Sequence, residues 1–517
     1  MFWHIFKKDC KLTWPLVVGV ALLHFLARIT QFKIGHFGGN PALGPLLNLL
    51  REAGYLTSIL LIAVVVHQDP IPGSRQDWLV RPIWRRDLLL AKLVFVLLLV
   101  QGPMLAADVF HSLLDGFSFQ QSVTASLSRA FFLFFAFYLP GLTFAALTAN
   151  FAQAIVAGVM IFLGGFSIGL LINVLFFGGR LRPPVEFSGL AWIDQSERAL
   201  LALAIGVAIL GLQYFRRKTE LSRYLFGAGV FIWVGTLLTP WAPAFAMQKR
   251  FSPHAGSAKE IQIAFDPSVG KLPAVMATNL DSQQRFPRDN NDMLVGLPLR
   301  IGYLAPEALL KSDHSEIKIA VPGGKSVNIG TGDDFEVHGD DAVGSSHQLV
   351  RIPGDIFEHV KDVPATLEIH YSFTLLHASQ ALAMPALAGN QRSDEVGWCK
   401  TRVNDARTAV LMACLTPGNA PACARVFLEN NSTHQHNPIR SACSMNYAPY
   451  VDTFDGDAVS RFGFLLPFRD ASGLAQYPVD GRQLADAQVF LRLYRPVDHF
   501  SRDLVIPSVR LSDWVAQ

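Results

Sequence analysis

The spacing of hydrophobic residues differs between the two halves of the chain. From Trp14 to about Met247, long apolar runs alternate with short polar loops. A helix needs about 20 apolar residues to cross the hydrocarbon core of a bilayer. We therefore predict membrane-spanning helices at roughly 14–33, 48–67, 88–110, 129–149, 152–177, 198–214 and 224–245.

From about residue 256 onward, short apolar runs are separated by turn-forming residues. In TLEIHYSFTL (366–375), apolar side chains recur every second residue, a period typical of a half-buried strand. Short strands with frequent turns favour a β-sandwich, either one elaborated sandwich or two. The stretch ARTAVLMACL (406–415) is predicted as a helix. Further strands are predicted at 260–265, 316–321, 489–495 and 505–511.

The predicted fold class is a membrane α-helical bundle of six or seven transmembrane helices followed by a mainly-β extracytoplasmic domain. The bundle covers residues 1–247 and the β-rich domain residues 256–517. Only 16% of the residues are charged, against about 25% in ordinary soluble proteins. A net charge of +3 is too small to favour a nucleic-acid partner.

Lysine and arginine in short loops predict the orientation, because such loops are retained in the cytoplasm. With seven spans, three basic groups fall on one side, whereas Arg180 and Arg182 fall on the other. We expect an inner-membrane, multi-pass protein with a cytoplasmic N-terminus and an exported C-terminal domain. The three basic groups are Lys7, Lys8 and Lys11; Arg75, Arg81, Arg85, Arg86 and Lys92; and Arg216, Arg217, Lys218 and Arg223.

Four of the five cysteines lie close together in the C-terminal half: Cys399, Cys414, Cys423 and Cys443. In an oxidising compartment they predict two disulfides that staple the region near 385–450, with three possible connectivities. Unpaired buried thiols are the alternative. The chain has no Cys-x-x-Cys pair, so we predict no metal site.

Two motifs that resemble catalytic sites are better explained structurally. GFSIG (165–169) matches the serine-hydrolase turn, but it lies inside an apolar span. There Gly165 and Gly169 are predicted to allow close helix packing. GGKS (323–326) lacks the first glycine of a phosphate-binding loop and is predicted to form a hairpin turn. We therefore predict no catalytic residues and no cofactor bound by this chain.

Ionisable residues are sparse in the apolar runs. His24 and Arg28 lie in the first span and Asp108 near the end of the third. If buried, such groups mark a proton or ion pathway; the alternative is that they reach the membrane surface by snorkelling. Their scarcity argues against a proton-coupled carrier, which needs such groups at mid-membrane.

The most unusual polar stretch, QDPIPGSRQDWLVRPIWRRDLLLAK (68–92), joins the second and third spans. Its tryptophans and arginines suit an interfacial anchor on lipid headgroups, and they also suit a docking element for a cytoplasmic partner. Asp87 falls in the first turn of the third span, where the helix dipole favours a carboxylate.

This loop resembles the first cytoplasmic loop of ABC-2-type transporter permeases. That family has an acidic residue after the second span, a Gly-Ser/Thr pair, a Leu-x-x-Arg-Pro-x-x-Arg stretch and a lysine one turn into the third span. The N-terminal FWHIFKKDCKLTW is similar to the family's amphipathic interfacial helix, with Phe2, Trp3 and Phe6 on its apolar side. The matching loop residues are Asp69, Gly73, Ser74, Leu79, Arg81, Pro82, Arg85 and Lys92.

The resemblance implies a permease subunit that depends on a separate cytoplasmic ATPase, so that ATP acts only through this partner. The ATPase would dock on the 75–87 segment, where Trp78 and Arg86 add to the matching residues. Two copies, or one copy with a second permease, would form the pathway. The family usually has six spans and no large exported domain. The alternative is a membrane-anchored binding or assembly protein whose helices serve mainly as an anchor.

Overall fold

The computed structural model describes residues 1–36, 43–69, 84–177, 191–236, 241–272, 293–321, 326–331, 335–340, 345–404, 407, 409–415, 423–430, 435–436, 440–441, 462–467 and 485–515. The helices of the N-terminal half are α1 (Phe2–His36), α2 (Leu43–His67), α3 (Arg85–Phe95), α4 (Gln101–Leu114), α5 (Phe119–Leu133), α6 (Leu139–Leu147), α7 (Phe151–Phe177), α8 (Ala191–Gly211), α9 (Thr219–Thr236) and α10 (Trp241–Arg250). Three π-helical segments continue α3, α5 and α8: Val96–Val100, Phe134–Tyr138 and Leu212–Arg216.

Within these ranges, five helices are long and apolar enough to cross a membrane: Phe2–Lys33, Leu43–His67, Arg85–Leu114, Phe119–Leu147 and Glu197–Arg216. They cover the first four predicted spans and the sixth. In the region of the fifth, the apolar stretch Phe151–Gly165 of α7 is shorter. The predicted seventh span falls partly on α9 and partly on α10. A membrane protein is thus confirmed in outline, and the number of spans remains a prediction.

The N-terminal helix is longer than expected. The sequence predicts an interfacial helix followed by a separate span, but α1 continues through Pro15 without interruption. Proline is tolerated inside apolar helices of membrane proteins, where neighbouring helices and side chains satisfy the backbone groups it frees. Phe2, Trp3 and Phe6 therefore lie in the first turns of the same helix that forms the first span.

The C-terminal half consists mainly of antiparallel strands. The strands are β1 (Gln262–Phe265), β2 (Met293–Gly302), β3 (Ala308–Ala320), β4 (Val327–Thr331), β5 (Glu336–His338), β6 (Ser345–Ile352), β7 (Ala365–Pro385), β8 (Asn390–Ser393), β9 (Gly397–Val403), β10 (Ala409–Leu415), β11 (Cys423–Asn430), β12 (Gln435–His436), β13 (Arg440–Ser441), β14 (Phe462–Pro467) and β15 (Ala487–Val509). A short helix, α11 (Gly354–Val360), precedes β7.

These strands form three sheets. A three-stranded sheet has the order β1-β2-β6, and a four-stranded sheet has the order β14-β10-β9-β8. A larger sheet has the order β12-β11-β15-β7-β3-β4, with β13 beside β11 and β5 beside β3.

The two longest strands of the large sheet are β7 and β15. The predicted strands at 489–495 and 505–511 prove to be parts of one, β15, which spans 23 residues and pairs with β7. Pro496 is accommodated where the pairing register shifts between Pro496 and Asp498. A proline cannot donate a ladder hydrogen bond, and a bulge relieves that requirement.

The β-rich half has two principal hydrophobic cores among the described residues. The first combines β2 and β6 of the small sheet with the first half of β7 and the last half of β15. It buries the predicted inward face of β7: Leu367, Ile369, Tyr371 and Phe373. The second combines β9 and β10 with β11, the end of β7 and the start of β15. The large sheet therefore contributes to both cores.

The predicted helix at 406–415 is wrong, because Ala409–Leu415 forms strand β10. Its two neighbours in the four-stranded sheet, β9 and β14, provide the hydrogen bonds that a helix would have made internally. Cys399 and Cys414 face each other across β9 and β10 and form a disulfide. Cys423 is also disulfide-bonded, Cys10 is a free thiol, and Cys443 lies outside the described residues.

Candidate functional site

Lys92 connects three helices near the points where the chain leaves α2 and enters α3. Its ammonium donates hydrogen bonds to Asp9 Oδ2 at 2.7 Å, to the Val65 carbonyl at 2.8 Å and to Asp69 Oδ2 at 3.0 Å. These partners lie on α1, on α2 and just after α2. Lys92 and Asp9 are fully buried. Because the three helices share one buried cation, their positions are fixed relative to one another.

Lys8 completes this arrangement from the outside. Its ammonium lies 2.7 Å from both carboxylate oxygens of Asp69 and 3.8 Å from Asp9. Burial acts to raise the pKa of Asp69, but the charges of Lys92 and Lys8 outweigh it, so the pKa lies below its ordinary value. Asp69 is therefore ionised at neutral pH. We call Lys8, Asp9, Asp69 and Lys92 the lysine clamp.

An exposed basic and aromatic surface adjoins the clamp at the start of α3. Trp84 is 60% exposed, and the Arg86 guanidinium stacks 4.0 Å from its ring centroid. Arg85 donates to the Phe215 carbonyl at 3.0 Å, next to Arg217. Since Arg217 follows Phe215 by only two residues, this hydrogen bond brings Arg85 near Arg217, and partial burial, and then the Arg85 charge, lower the pKa of Arg217. We call Trp84, Arg85, Arg86 and Arg217 the Trp84 patch.

The structure separates the predicted docking residues into two groups. Asp69 and Lys92 belong to the lysine clamp, and Lys92 is too buried to touch a partner directly. Arg85 and Arg86 lie on the exposed Trp84 patch. Gly73, Ser74, Trp78, Arg81 and Pro82 lie outside the described residues.

The sequence reasoning missed Asp9 as a site residue. It lies among three lysines in FKKDCK and was counted only as part of a basic segment. A lone carboxylate in the first turns of a membrane helix is a usable signal, because burying it requires a nearby cation.

The N-terminal aromatic residues pack on one another and, through Phe6, against α3. Phe6 is buried, and its ring lies 6.3 Å from that of Phe95 on α3, edge to face. Trp3 stacks on Phe6 at 5.3 Å and is 59% exposed. Phe2 stacks on Phe6 at 6.4 Å. The predicted apolar side of this segment thus faces α3 through Phe6, while Trp3 keeps an outward surface.

A second ion cluster lies deeper in the bundle. Arg28 of α1 donates to Asp108 Oδ1 of α4 at 2.8 Å, and Arg129 of α5 pairs with Asp108 Oδ2. Arg129 also donates to the Tyr55 hydroxyl at 2.9 Å. All three charged residues are buried. We call Arg28, Asp108 and Arg129 the arginine cluster.

The snorkelling alternative is therefore wrong. Arg28 and Asp108 satisfy each other inside the bundle, and His24 lies 3.2 Å from the Ser58 hydroxyl of α2. Pairing within the bundle is the usual solution for ionisable groups in membrane helices.

The π-helical segments lie close to these clusters in the chain. Val96–Val100 separates Lys92 from Asp108, and Leu212–Arg216 contains the carbonyl that accepts from Arg85. Such segments break the regular hydrogen-bond ladder and are frequent at functional sites.

Gly165 and Gly169 lie in the continuous helix α7, which lacks the strand-to-helix turn that a nucleophilic serine requires. Among the described residues, no other element places an atom within 4 Å of the position that a Cβ on residue 165 would take, so the predicted close packing at Gly165 and Gly169 stays a prediction.

Within the described ranges, no group of three or more His, Cys, Asp or Glu side chains could hold a metal ion. No protein-family model, curated protein or solved structure matches this chain.

Proposed function

We propose that this chain is the membrane-spanning permease subunit of an ABC-type transporter, driven by a separate cytoplasmic ATPase. The observation that supports this best is the lysine clamp. It joins the residues that flank the 70–83 segment to α1, so a force applied to this segment would reach three helices at once. An anchor alone does not require such a connection.

In this proposal the ATPase contacts the 75–87 segment and the adjoining Trp84 patch. Arginine and tryptophan are favoured in the buried centres of protein interfaces, and the patch is positively charged, so the facing surface of the ATPase carries carboxylates. Movement of the segment would pull on Asp69 and Lys92 and thereby on α1 and α2. The π-helical segments would let α3 and α8 adjust.

The orientation and finer architecture belong to the same proposal. The N-terminus and the Trp84 patch lie in the cytoplasm, and the β-rich domain lies outside the inner membrane. Seven helices cross the membrane, with α7 and the α9–α10 region adding to the five long ones. Each pair of packed sheets forms a sandwich, and two permease subunits form the pathway.

The test is copurification of the full-length chain from its native membrane, followed by identification of bound ATPases. We expect an ATPase with a phosphate-binding loop. The double substitution Arg81→Glu and Arg85→Glu should abolish both this association and transport, because it reverses the charge of the docking surface.

Lys11→Glu is the matched control, since Lys11 is an exposed base on α1 outside the patch. It should retain the ATPase. If the double variant kept both the ATPase and transport, the docking role would be refuted.

The second candidate is a membrane-anchored binding or assembly protein. The observation that favours it is that the β-rich half has two cores of its own and a disulfide. Cross-linking of the full-length chain in cells decides between the two. An envelope component bound to the β-rich half, with no ATPase in the complex, would favour the anchor function.

A further inference from the structure

The connection between α4 and α5 is a rigid turn. At the end of α4, Phe117 N–H donates to the Ser112 carbonyl at 3.1 Å and Gly116 N–H donates to the Leu113 carbonyl at 2.9 Å. This is the Schellman pattern, which needs a left-handed residue, and Gly116 has a φ of 85°. Ser118 and Gln121 then form a capping box at the start of α5. The turn is therefore fixed by hydrogen bonds at both ends.

The disulfide-bonded hairpin of β9 and β10 contacts this turn. Arg402 of β9 pairs with Asp115 at 3.0 Å, and Lys400 of β9 donates to the Gly116 carbonyl. A Cβ on residue 116 would lie 3.3 Å from the Lys400 ammonium, so glycine also suits the close approach. Asp115 lies in addition 3.5 Å from His111 on α4.

An apolar contact supports the polar ones. Phe117 is 3% exposed and packs with Ala125 of α5 and Leu415 of β10, against Trp398 and Ala413. Residues 398 and 400 flank Cys399, and residues 413 and 415 flank Cys414. The disulfide therefore holds together the two strands that contact the turn.

The same helix connects this contact with the arginine cluster. Asp108 and Asp115 belong to α4 and its C-cap, and Arg129 lies on α5 beyond the turn. A shift of α4 relative to α5 must either move the β9–β10 hairpin or break its contacts. No flexible linker intervenes between Asp115 and Asp108.

We propose that the α4–α5 turn and the β9–β10 hairpin form a mechanical joint that moves the C-terminal domain together with the membrane helices. The part of this inference that concerns ATP-driven movement rests on the proposed function. The joint itself rests only on the contacts described above.

The experiment measures the distance between the two halves of the full-length chain by pulsed electron paramagnetic resonance. Spin labels are placed by Leu127→Cys on α5 and Val505→Cys on β15, positions that are 52% and 59% exposed. Cys10→Ser removes the free thiol found among the described residues. We expect a narrow distance distribution in the parent. The double change Lys400→Gln and Arg402→Gln should broaden it.

Two controls separate the joint from general damage. Arg300→Gln removes a surface ion pair with Asp266, on the sheet that covers the other core, and should leave the distribution narrow. Arg402→Lys keeps the charge opposite Asp115 and should also leave the distance distribution narrow. A narrow distribution in the Lys400 and Arg402 double variant would overturn the proposal.

A second arm adds the ATPase and a non-hydrolysable ATP analogue. The distribution should shift in the parent, and this shift should be lost in the double variant. If no ATPase associates, the proposed function fails while the broadening still tests the joint. If the ATPase binds and the distance distributions of the parent and the double variant shift alike, the joint is refuted and the proposed function stands.

Discussion

At the scale of single residues, the fully buried charges of the lysine clamp and the arginine cluster each have a partner on another helix. Lys92 meets Asp9 across 83 positions of the chain, and Arg28 meets Asp108 across 80. The resemblance of the 68–92 loop to ABC-2-type permeases pointed to Lys92 and Asp69, whereas it gave no indication of Asp9 or Arg129. The lone carboxylate of Asp9 in an apolar helix signals a buried ion pair, but the partners are remote in sequence, so no local pattern shows which cation Asp9 meets or that Arg129 pairs with Asp108.

Replacing Lys92→Met should destabilise the bundle strongly. Asp9 would then stay buried with only Lys8 nearby, at 3.8 Å, and removing one partner of a buried pair costs about 3–5 kcal/mol. We expect a lower melting temperature in detergent. Adding Asp9→Asn should restore part of the loss, whereas Lys11→Met at an exposed position should have little effect. Equal melting temperatures for Lys92→Met and Lys11→Met would contradict the clamp.

His499 makes the attachment of α10 to β15 sensitive to pH. Its ring lies 2.6 Å from the Gln248 amide and 2.9 Å from the Ser252 hydroxyl. Burial lowers the pKa of His499, although Asp313 and Asp498 act in the opposite direction. At pH values between this lowered pKa and the ordinary value near 6.5, the unfolded form binds more protons than the folded form. The stabilisation is therefore present above about pH 6.5 and is lost as the pH falls below it.

Hydrogen exchange at residues 248–252 should accordingly be faster at about pH 5.5 than at about pH 7.5, after correction for the intrinsic rate. His499→Gln should remove this dependence. A corrected rate that does not change with pH in the parent would show that His499 does not titrate with opening of this contact.

At the scale of elements, strands were easier to predict than their connections. The period of two in 366–375 predicted the inward face of β7, and the cysteines predicted the disulfide-bonded region. The helix predicted at 406–415 failed because a short apolar run has no decisive period. Pairing with β9 and β14 decided its conformation, and this pairing is not visible in the run itself.

The double substitution Cys399→Ala and Cys414→Ala should destabilise the second core, around β9 to β11, more than the first core, around β2 and β6. The disulfide closes a loop with a sequence separation of 15, and a loop of this length contributes about 3 kcal/mol. Limited proteolysis should cut first between β8 and β11 in the variant, and β1 to β3 should persist. Simultaneous loss of both regions would mean that the two cores unfold as one unit.

At the scale of the whole molecule, composition predicted the order of the two halves but not their contacts. The joint between the α4–α5 turn and the β9–β10 hairpin depends on Asp115, Lys400 and Arg402, each unremarkable in its own segment. The turn DGFS contains signals of a helix stop and start, but nothing in it indicates what it touches.

The proposed topology predicts a clear labelling pattern in intact cells. A membrane-impermeant thiol reagent should modify Val505→Cys, which is exposed on β15, without permeabilisation. Cys10 should react only after the inner membrane is opened. The three disulfide-bonded cysteines, Cys399, Cys414 and Cys423, should stay unlabelled unless reduced. Labelling of Cys10 alone in intact cells would invert the orientation.

The position of β15 has a consequence for biogenesis. This strand follows all the other described strands in the chain, yet it lies between β11 and β7 in the large sheet. Neither core can close until β15 has been synthesised and delivered to the same side of the membrane. Until then β7 and β11 present unpaired edges, which favour aggregation. A ribosome stalled shortly before residue 487 would leave the helices inserted and the β-rich half open to proteases and chaperones.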